Sequence, residues 1–280
     1  MSGFININKA SGVSSAREVA IIKKLTGTPC GHMGTLDPMA SGVLPVAIGK
    51  AARLFDFFLY KHKKYSATFR FGVDSDTLDT TGEIVENAGL VPEYAAVSEV
   101  LPQFTGEIMQ LPPKYSAKNI GGRRGYELAR AGVEFELKPK KVTVYSITLT
   151  GRSGNEFSFD IECGGGTYIR SLARDIAAKL GTRAVMSALV RTQSGIFTIK
   201  NAVETSALSC ENINSFIIPT ESVLPYESIS LAEKDEFKVF NGLTIPCEKP
   251  DGIYKIYRGG AFYGLCEVKQ SFLKVRTKLC

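Results

Sequence analysis

The stretch TPCGHMGTLDPMASG, residues 28–42, constrains the fold more than any other part of the chain. More than half of it is Gly, Pro, Ser or Thr, so it can be neither a regular helix nor a regular strand. Before it, REVAIIKKL carries helical spacing that stops at Gly27; after it, VLPVAIG (43–49) is a continuous apolar run that reads as a buried strand. A compact domain rarely spends so many turn formers on one connection without using it. Asp37 lies near its centre. Asp followed by Pro is also how a helix starts, with Asp as N-cap and Pro at the first helical position. The residues alone therefore leave two readings of Asp37, a cap or a reactive carboxylate.

The rest of the chain supplies the frame. FININ (4–8) alternates as a first strand, and Ser15 followed by Glu18 reads as a capping box. AARLFDFFLY reads as a helix packed by its aromatic face, and KKYSATFRFG (63–72) as an alternating strand. Residues 92–104 read as a short helix, and 109–125 as a Pro/Gly/Lys/Arg-rich segment before a helix at YELARAG. VEFELKPK, KVTVYSITL and EFSFDIEC read as three strands, GGGTYIR leads into a helix over 171–181, and ALVRTQSGIF reads as another strand. From about residue 222 short strands alternate with Gly turns. The expectation is an α+β fold: a mixed, mainly antiparallel sheet flanked by helices over 1–221, with an insertion near 109–141, and a small β-rich domain over 222–280.

Composition narrows the class. The six cysteines are far apart with no CxxC pair, which fits neither a zinc site nor a disulfide framework and points to reduced thiols in the cytoplasm. The N-terminus has no basic segment followed by an apolar one, and no apolar run is long enough to span a bilayer, so no membrane association is expected. The net charge of +6 is unevenly spread: +7 over 1–71, −6 over 72–137, +6 over 138–200 and −1 over 201–280. That pattern is compatible with an uneven solvated surface or with two basic segments converging on a polyanion.

Beyond Asp37 itself, GHMGTLDPMASGVLPVAIGKAARL resembles the catalytic motif of the TruB-type pseudouridine synthases, matched without a gap. NKASGVSS resembles that family's N-terminal signature, with Lys9-Ala10 where most members have Lys-Pro. KKYSATFRFG, SDTLDTTGEIV, QLPPKYSAKNIGGRRGYELARAG and GGGTYIRSLARDIAAKLG resemble further motifs in the family's order, from about residue 3 to 200. The C-terminal segment is similar in size and pattern to the family's PUA-like RNA-binding domain.

The resemblance implies isomerisation of uridine to pseudouridine at position 55 (tRNA convention) in the T-loop of tRNA. The C1′–N1 bond breaks, the base turns, and it rejoins through C5; no group donor or electron is exchanged, so no cofactor and no metal are expected. The carboxylate of Asp37 would be the covalent nucleophile. Arg170 is offered as the cation that keeps it ionised and aimed, and Tyr65 as the base for the C5 proton, stacked on the uracil. The resemblance also has His32 fill the space of the everted base, Tyr168 and Leu189 line its pocket, Asp79 meet the flipped nucleotide, and Lys9 join the substrate-binding set. Taken singly, His32 reads as a polar loop residue or a hydrogen-bonded structural histidine, Tyr65 and Tyr168 as core or rim aromatics, Leu189 as core, and Arg170 as a surface arginine near a helix start. Two departures, Met33 beside His32 and Ala10 after Lys9, lie around the site. The insertion and the lack of a basic tail favour an enzyme that needs no protein partner. A guide-RNA-dependent synthase and a non-catalytic tRNA-binding chaperone are the rival readings.

Overall fold

The computed structural model describes residues 2–59 and 62–279. Its centre is a ten-stranded sheet. Along the main path the order is Ile218–Pro219, Gly3–Lys9, Ser41–Ile48, Ala184–Ser194, Lys63–Phe71, Glu156–Cys163, Lys140–Ser153 and Gly106–Gln110, with Cys30–His32 and Phe197–Thr198 paired to the side. The pairings are antiparallel except one: Ser41–Ile48 and Ala184–Ser194 run parallel, in register at Val190–Ser41 and Arg191–Gly42. The sheet is therefore mixed and mainly antiparallel, as the sequence implies.

Both faces of the central strands are covered, which explains their near-continuous apolar runs. Ile5, Ile7, Leu44, Val46 and Ile48 point to one face, where they meet Ile22 of helix Ser15–Thr26 and Ile169, Leu172 and Ile176 of helix Ile169–Lys179. Phe4, Val43 and Ala47 point to the other, where they meet Phe58, Phe197, Val223, Leu224, Leu265 and Leu279. The second core ties the large sheet to a five-stranded C-terminal sheet ordered Ser228–Ile229, Gly252–Arg258, Ala261–Lys269, Phe272–Lys278 and Ile245–Pro246. That sheet, with helix Glu233–Phe240, has a core of its own around Val239, Ile256, Cys266 and Leu273. Among the described residues no helix is long and apolar enough to cross a membrane.

Several local expectations change. The cap of the first helix is Ser14, whose side chain accepts from the Arg17 amide, while Ser15 already lies within the helix. VEFELKPK is not a strand: its apolar positions have no neighbouring strand to pair with, and regular pairing begins only at Lys140. AARLFDFFLY divides into a 3₁₀ turn, Gly49–Leu54, and a short helix, Phe55–Leu59, with Tyr60 outside the described residues. The helix expected over 171–181 spans Ile169–Lys179, which puts Arg170 in its first turn.

Candidate active site

Asp37 does not cap a helix. It opens a tight turn, closed by the Ala40 amide donating to the Asp37 carbonyl (3.1 Å), with Pro38 at the position where its fixed φ suits the bend. The turn lies in the loop joining strands Cys30–His32 and Ser41–Ile48. Five carbonyls of that loop are held from outside. Ser15 Oγ donates to the Leu36 carbonyl (2.8 Å) and accepts from its amide (3.0 Å). The Gly12 amide and Lys9 Nζ both donate to the Pro38 carbonyl, at 2.8 and 3.1 Å. Ser11 Oγ donates to Met39 (2.7 Å). Arg191, 1% exposed, donates to the carbonyls of Val43 (2.7 Å), Thr35 (3.3 Å) and Gly34 (3.0 Å). A side chain so anchored fixes the aim of Asp37 before any substrate arrives.

Gly42 shows how tightly this is packed. Its φ is +99°, and a Cβ there would lie 2.3 Å from the carbonyl oxygen of Arg191, across the parallel pairing. Only glycine fits.

Arg170 reaches Asp37 from the opposite side. Its Nε lies 2.9 Å from Asp37 Oδ2 and its Nη1 3.4 Å from Asp79 Oδ2. Nη1 also donates to the Thr77 carbonyl (2.8 Å) and Nη2 to the Tyr115 carbonyl (2.9 Å). A guanidinium in the first turn of a helix works against the helix dipole; two carboxylates and two carbonyls supply the compensation. Asp79 is in turn fixed: its Oδ1 accepts from Thr77 Oγ1 (2.7 Å), the Thr81 amide (3.0 Å) and Thr81 Oγ1 (2.5 Å). The residue before it, Leu78, holds a left-handed φ of 61°, a conformation costing roughly 1–3 kcal/mol for such a side chain. It is stitched to the sheet through bonds between residues 78–80 and Met186.

The electrostatics follow from this geometry. Burial pushes the pKa of Asp37 up, Asp79 adds to that, and Arg170 is the main charge opposing it, with Lys9 behind. The side chain of Asp37 is still 34% exposed, so it is open to solvent, whereas Arg170 and Asp79 are sealed at 5% each.

Tyr65 stands on strand Lys63–Phe71 with its ring turned into the core beside Leu36 and Leu189. Burial raises its phenol to about 12, while Arg191, its register partner on the neighbouring strand, pulls the other way. His32 is half-buried with Nδ1 unpartnered; burial first, then the charges of Arg191 and Arg124, lower its pKa, so the ring is neutral at neutral pH. Arg124 comes from the insertion, which thus lies near His32. Tyr168 is the N-cap residue of helix Ile169–Lys179, and its backbone is clasped by Gln110: the Tyr168 amide donates to Oε1 (2.8 Å) and Nε2 donates to the Tyr168 carbonyl (3.1 Å). The same helix holds the insertion down through Ser171 and Arg174, both donating to the Leu111 carbonyl at 2.9 Å.

The structure therefore brings Asp37, Arg170 and Asp79 into one ion-paired group. Burial raises the pKa values of Tyr65 and Tyr168, and both lie close enough for the charge of Asp37 to add to that rise. Leu189 is 7% exposed in the core with Tyr65. Lys9 is placed differently from the sequence expectation of a substrate contact. It is fully buried, and its three donors go to the carbonyls of Ala10 (2.9 Å), Val13 (2.6 Å) and Pro38 (3.1 Å), so it props the Asp37 turn from behind. Arg191 and Gln110 were not foreseen at all. Both lie on strands, where a polar side chain ordinarily faces water, and no sequence pattern marks a buried arginine.

Comparison with known proteins agrees with the geometry. The model described as "TruB family pseudouridylate synthase (N terminal domain)" matches residues 23–169, and "tRNA pseudouridylate synthase B C-terminal domain" matches 170–225. The chain is 38% identical to tRNA pseudouridine synthase B of Clostridium kluyveri over 275 residues, 95% of each chain. It is 38% identical to the Aquifex aeolicus protein of that name over 288 residues, covering both chains entirely. The Synechocystis protein of that name is 41% identical over 267 residues, 91% of this chain and 90% of the other. Among solved structures, a chain of a Cbf5–Nop10–Gar1 complex superposes with a TM-score of 0.72 at 26% identity, covering 99% of this chain and 85% of that one.

Proposed function

The chain belongs to the TruB family of pseudouridylate synthases, enzymes that make pseudouridine in tRNA, and from that premise we propose that it isomerises the T-loop uridine at position 55 through a covalent bond to Asp37. The observation that carries this reading is the Arg170 clasp: a carboxylate open to solvent, aimed by a buried guanidinium.

A uridine within a folded loop is inaccessible, so it is everted into the cleft. Asp37 attacks the nucleotide, at C1′ or at C6 of the base, and the C1′–N1 bond breaks. The uracil turns and C5 bonds to C1′, the bond to Asp37 breaks and frees the carboxylate, and the C5 proton leaves while N1 takes one up. Arg170 acts at the first step, because a carboxylate raised by burial attacks only when a cation keeps it ionised. Tyr65 is the surface on which the uracil stacks. In the resting site its phenol is neutral, so service as acceptor of the C5 proton depends on Arg191, the charge that opposes the effect of burial. His32, neutral and beside the loop, fills the space the base leaves. Tyr168 and Leu189 border the pocket, while Asp79, sealed and with both oxygens engaged, braces Arg170 instead of meeting the nucleotide, and Lys9 acts indirectly by holding the Asp37 turn. No step calls for a metal or cofactor.

The basic segments 1–71 and 138–200 supply the side chains that meet the T-arm backbone, and the C-terminal sheet, a PUA-like domain over 222–280 in this reading, extends the RNA-binding surface. The enzyme works without a protein or guide-RNA partner. Identity of 38–41% to the tRNA synthases over nine-tenths of the chain or more, against 26% to the Cbf5 chain, favours that reading over a guide-dependent one.

The test is release of tritium from [5-³H]uridine-labelled tRNA transcript by the purified protein alone. Wild type should release one equivalent. Asp37→Asn should release none while binding the same transcript with wild-type affinity. Loss of binding and of the folded state together would return Asp37 to a structural role.

A further inference from the structure

Lys63 is a buried cation that the site described above does not use. It opens the strand that carries Tyr65, two residues earlier, so both side chains lie on one face of the sheet. It is 6% exposed, and among the described residues no hydrogen bond or ion pair reaches its ammonium. That ammonium is directed at the loop bearing His32 and Asp37: from the position a Cβ on Gly34 would take, Lys63 Nζ is 3.5 Å away and Arg191 Nη1 3.9 Å.

Two cations thus converge on one backbone. Arg191 answers its burial with three carbonyls; Lys63 has none. The charged and titratable groups acting on it are Arg191, which is repulsive, and Cys163, whose thiol burial raises to about 11 and so leaves neutral. Glu162, the adjacent carboxylate on the partner strand, is engaged by Lys64 and His62. Burial lowers Lys63 to about 8, which still leaves it mainly protonated at neutral pH. An unpaired buried charge against the loop that carries the reactive carboxylate marks a place where a ligand brings the counter-charge.

We propose that Lys63 is a substrate-binding residue whose ammonium takes a phosphodiester oxygen of the RNA strand entering the cleft beside Tyr65. Uracil is neutral in the bound state and cannot offset a full charge there, whereas every linkage of the strand carries one. This inference rests on the reading of the cleft as the site of the everted uridine.

The experiment is a methylphosphonate scan of a T-arm stem-loop RNA, making one linkage at a time neutral, with binding and single-turnover isomerisation measured for wild type and Lys63→Met. One linkage near the target uridine should weaken binding to wild type about ten- to hundredfold, the range for a charge-assisted hydrogen bond. Lys63→Met should weaken binding of the unmodified RNA by a similar factor, and the same methylphosphonate should then cost nothing more. The rate at saturating RNA should stay within about threefold, because a contact equal in ground and transition states does not change it. Absence of any linkage coupled to Lys63 overturns the proposal. A fall in saturating rate without such coupling also overturns it, and moves the ammonium to the oxygens of the uracil. Failure of wild type to modify the unsubstituted RNA overturns the T-loop reading and this inference with it. The scan on wild type needs no variant, so it decides the matter even if Lys63→Met folds poorly.

Discussion

Replacing Arg170 by Gln removes a group with four partners at once: Asp37 at 2.9 Å, Asp79 at 3.4 Å, and the carbonyls of Thr77 and Tyr115 at 2.8 and 2.9 Å. Glutamine is shorter and uncharged, so two carboxylates are left beside each other without their shared guanidinium, and only the weaker effect of Lys9 remains on Asp37. Removing one partner of a buried pair costs about 3–5 kcal/mol. Asp37 is 34% exposed and water screens that half of the loss, while Asp79 at 5% is not relieved, so about 3 kcal/mol of folding stability is expected to go. The catalytic effect has a definite sign. Asp37 attacks as a carboxylate, so activity is present above its pKa and is lost as pH falls through it. Burial and Asp79 already push that pKa up, and Arg170 opposes them. An opposite charge at this distance typically lowers a carboxyl pKa by about 1–3 units, so its loss should move the acid limb of kcat/KM upward by about that much, toward neutral pH. Single-turnover tritium release across the pH range, with urea melts of the same variants, reads both effects. Arg170→Lys, which keeps the charge without the fork, should recover part of the pH shift and little of the stability. An unmoved acid limb together with a stability loss below about 1 kcal/mol would refute the assignment of Arg170 as the group that keeps Asp37 ionised.

Three further outcomes are expected. Gly42→Ala places a Cβ 2.3 Å from the Arg191 carbonyl at a φ of +99°, so thermal melts should show a loss of about 2–4 kcal/mol; a change under about 1 kcal/mol would mean the parallel pairing yields easily. Lys63→Met should be more stable than wild type by about 1–3 kcal/mol at pH 7, since Lys63 falls from 10.5 to about 8 on folding. Between those values the unfolded chain binds more protons than the folded one, so wild-type stability rises with pH and the advantage of the variant should shrink from about pH 8 upward; a constant difference would show that Lys63 carries no buried charge. Affinity for tRNA should fall linearly in log–log form with salt, with a slope of about 0.7–0.9 per phosphate contacted, and affinity unchanged across the titration would remove the basic segments from the interface.

Legibility from sequence differed between backbone and side chains. The Asp37 loop, the alternating strand with Tyr65 and the helix opening at Arg170 were readable because turn formers and periodicity report backbone state directly. VEFELKPK misled because alternation marks a strand only where a partner strand exists, and none lies beside it. The Asp37–Arg170 pair was reachable by resemblance and by the oddity of an arginine in a first helical turn. Arg191, Gln110 and Lys63 were not: each is a polar residue in a strand, and only the packed structure shows that its side chain turns inward. Lys9 illustrates the converse, a residue correctly placed near the site whose three donors are already spent on carbonyls.

The most direct test of the central claim is to incubate the purified protein, in EDTA and without other RNA or protein, with unmodified tRNA transcript, and to map pseudouridine by carbodiimide-stop sequencing. One new stop is expected, at the T-loop uridine, absent with Asp37→Asn. A stop elsewhere in the tRNA, or the same stop with Asp37→Asn, would contradict it.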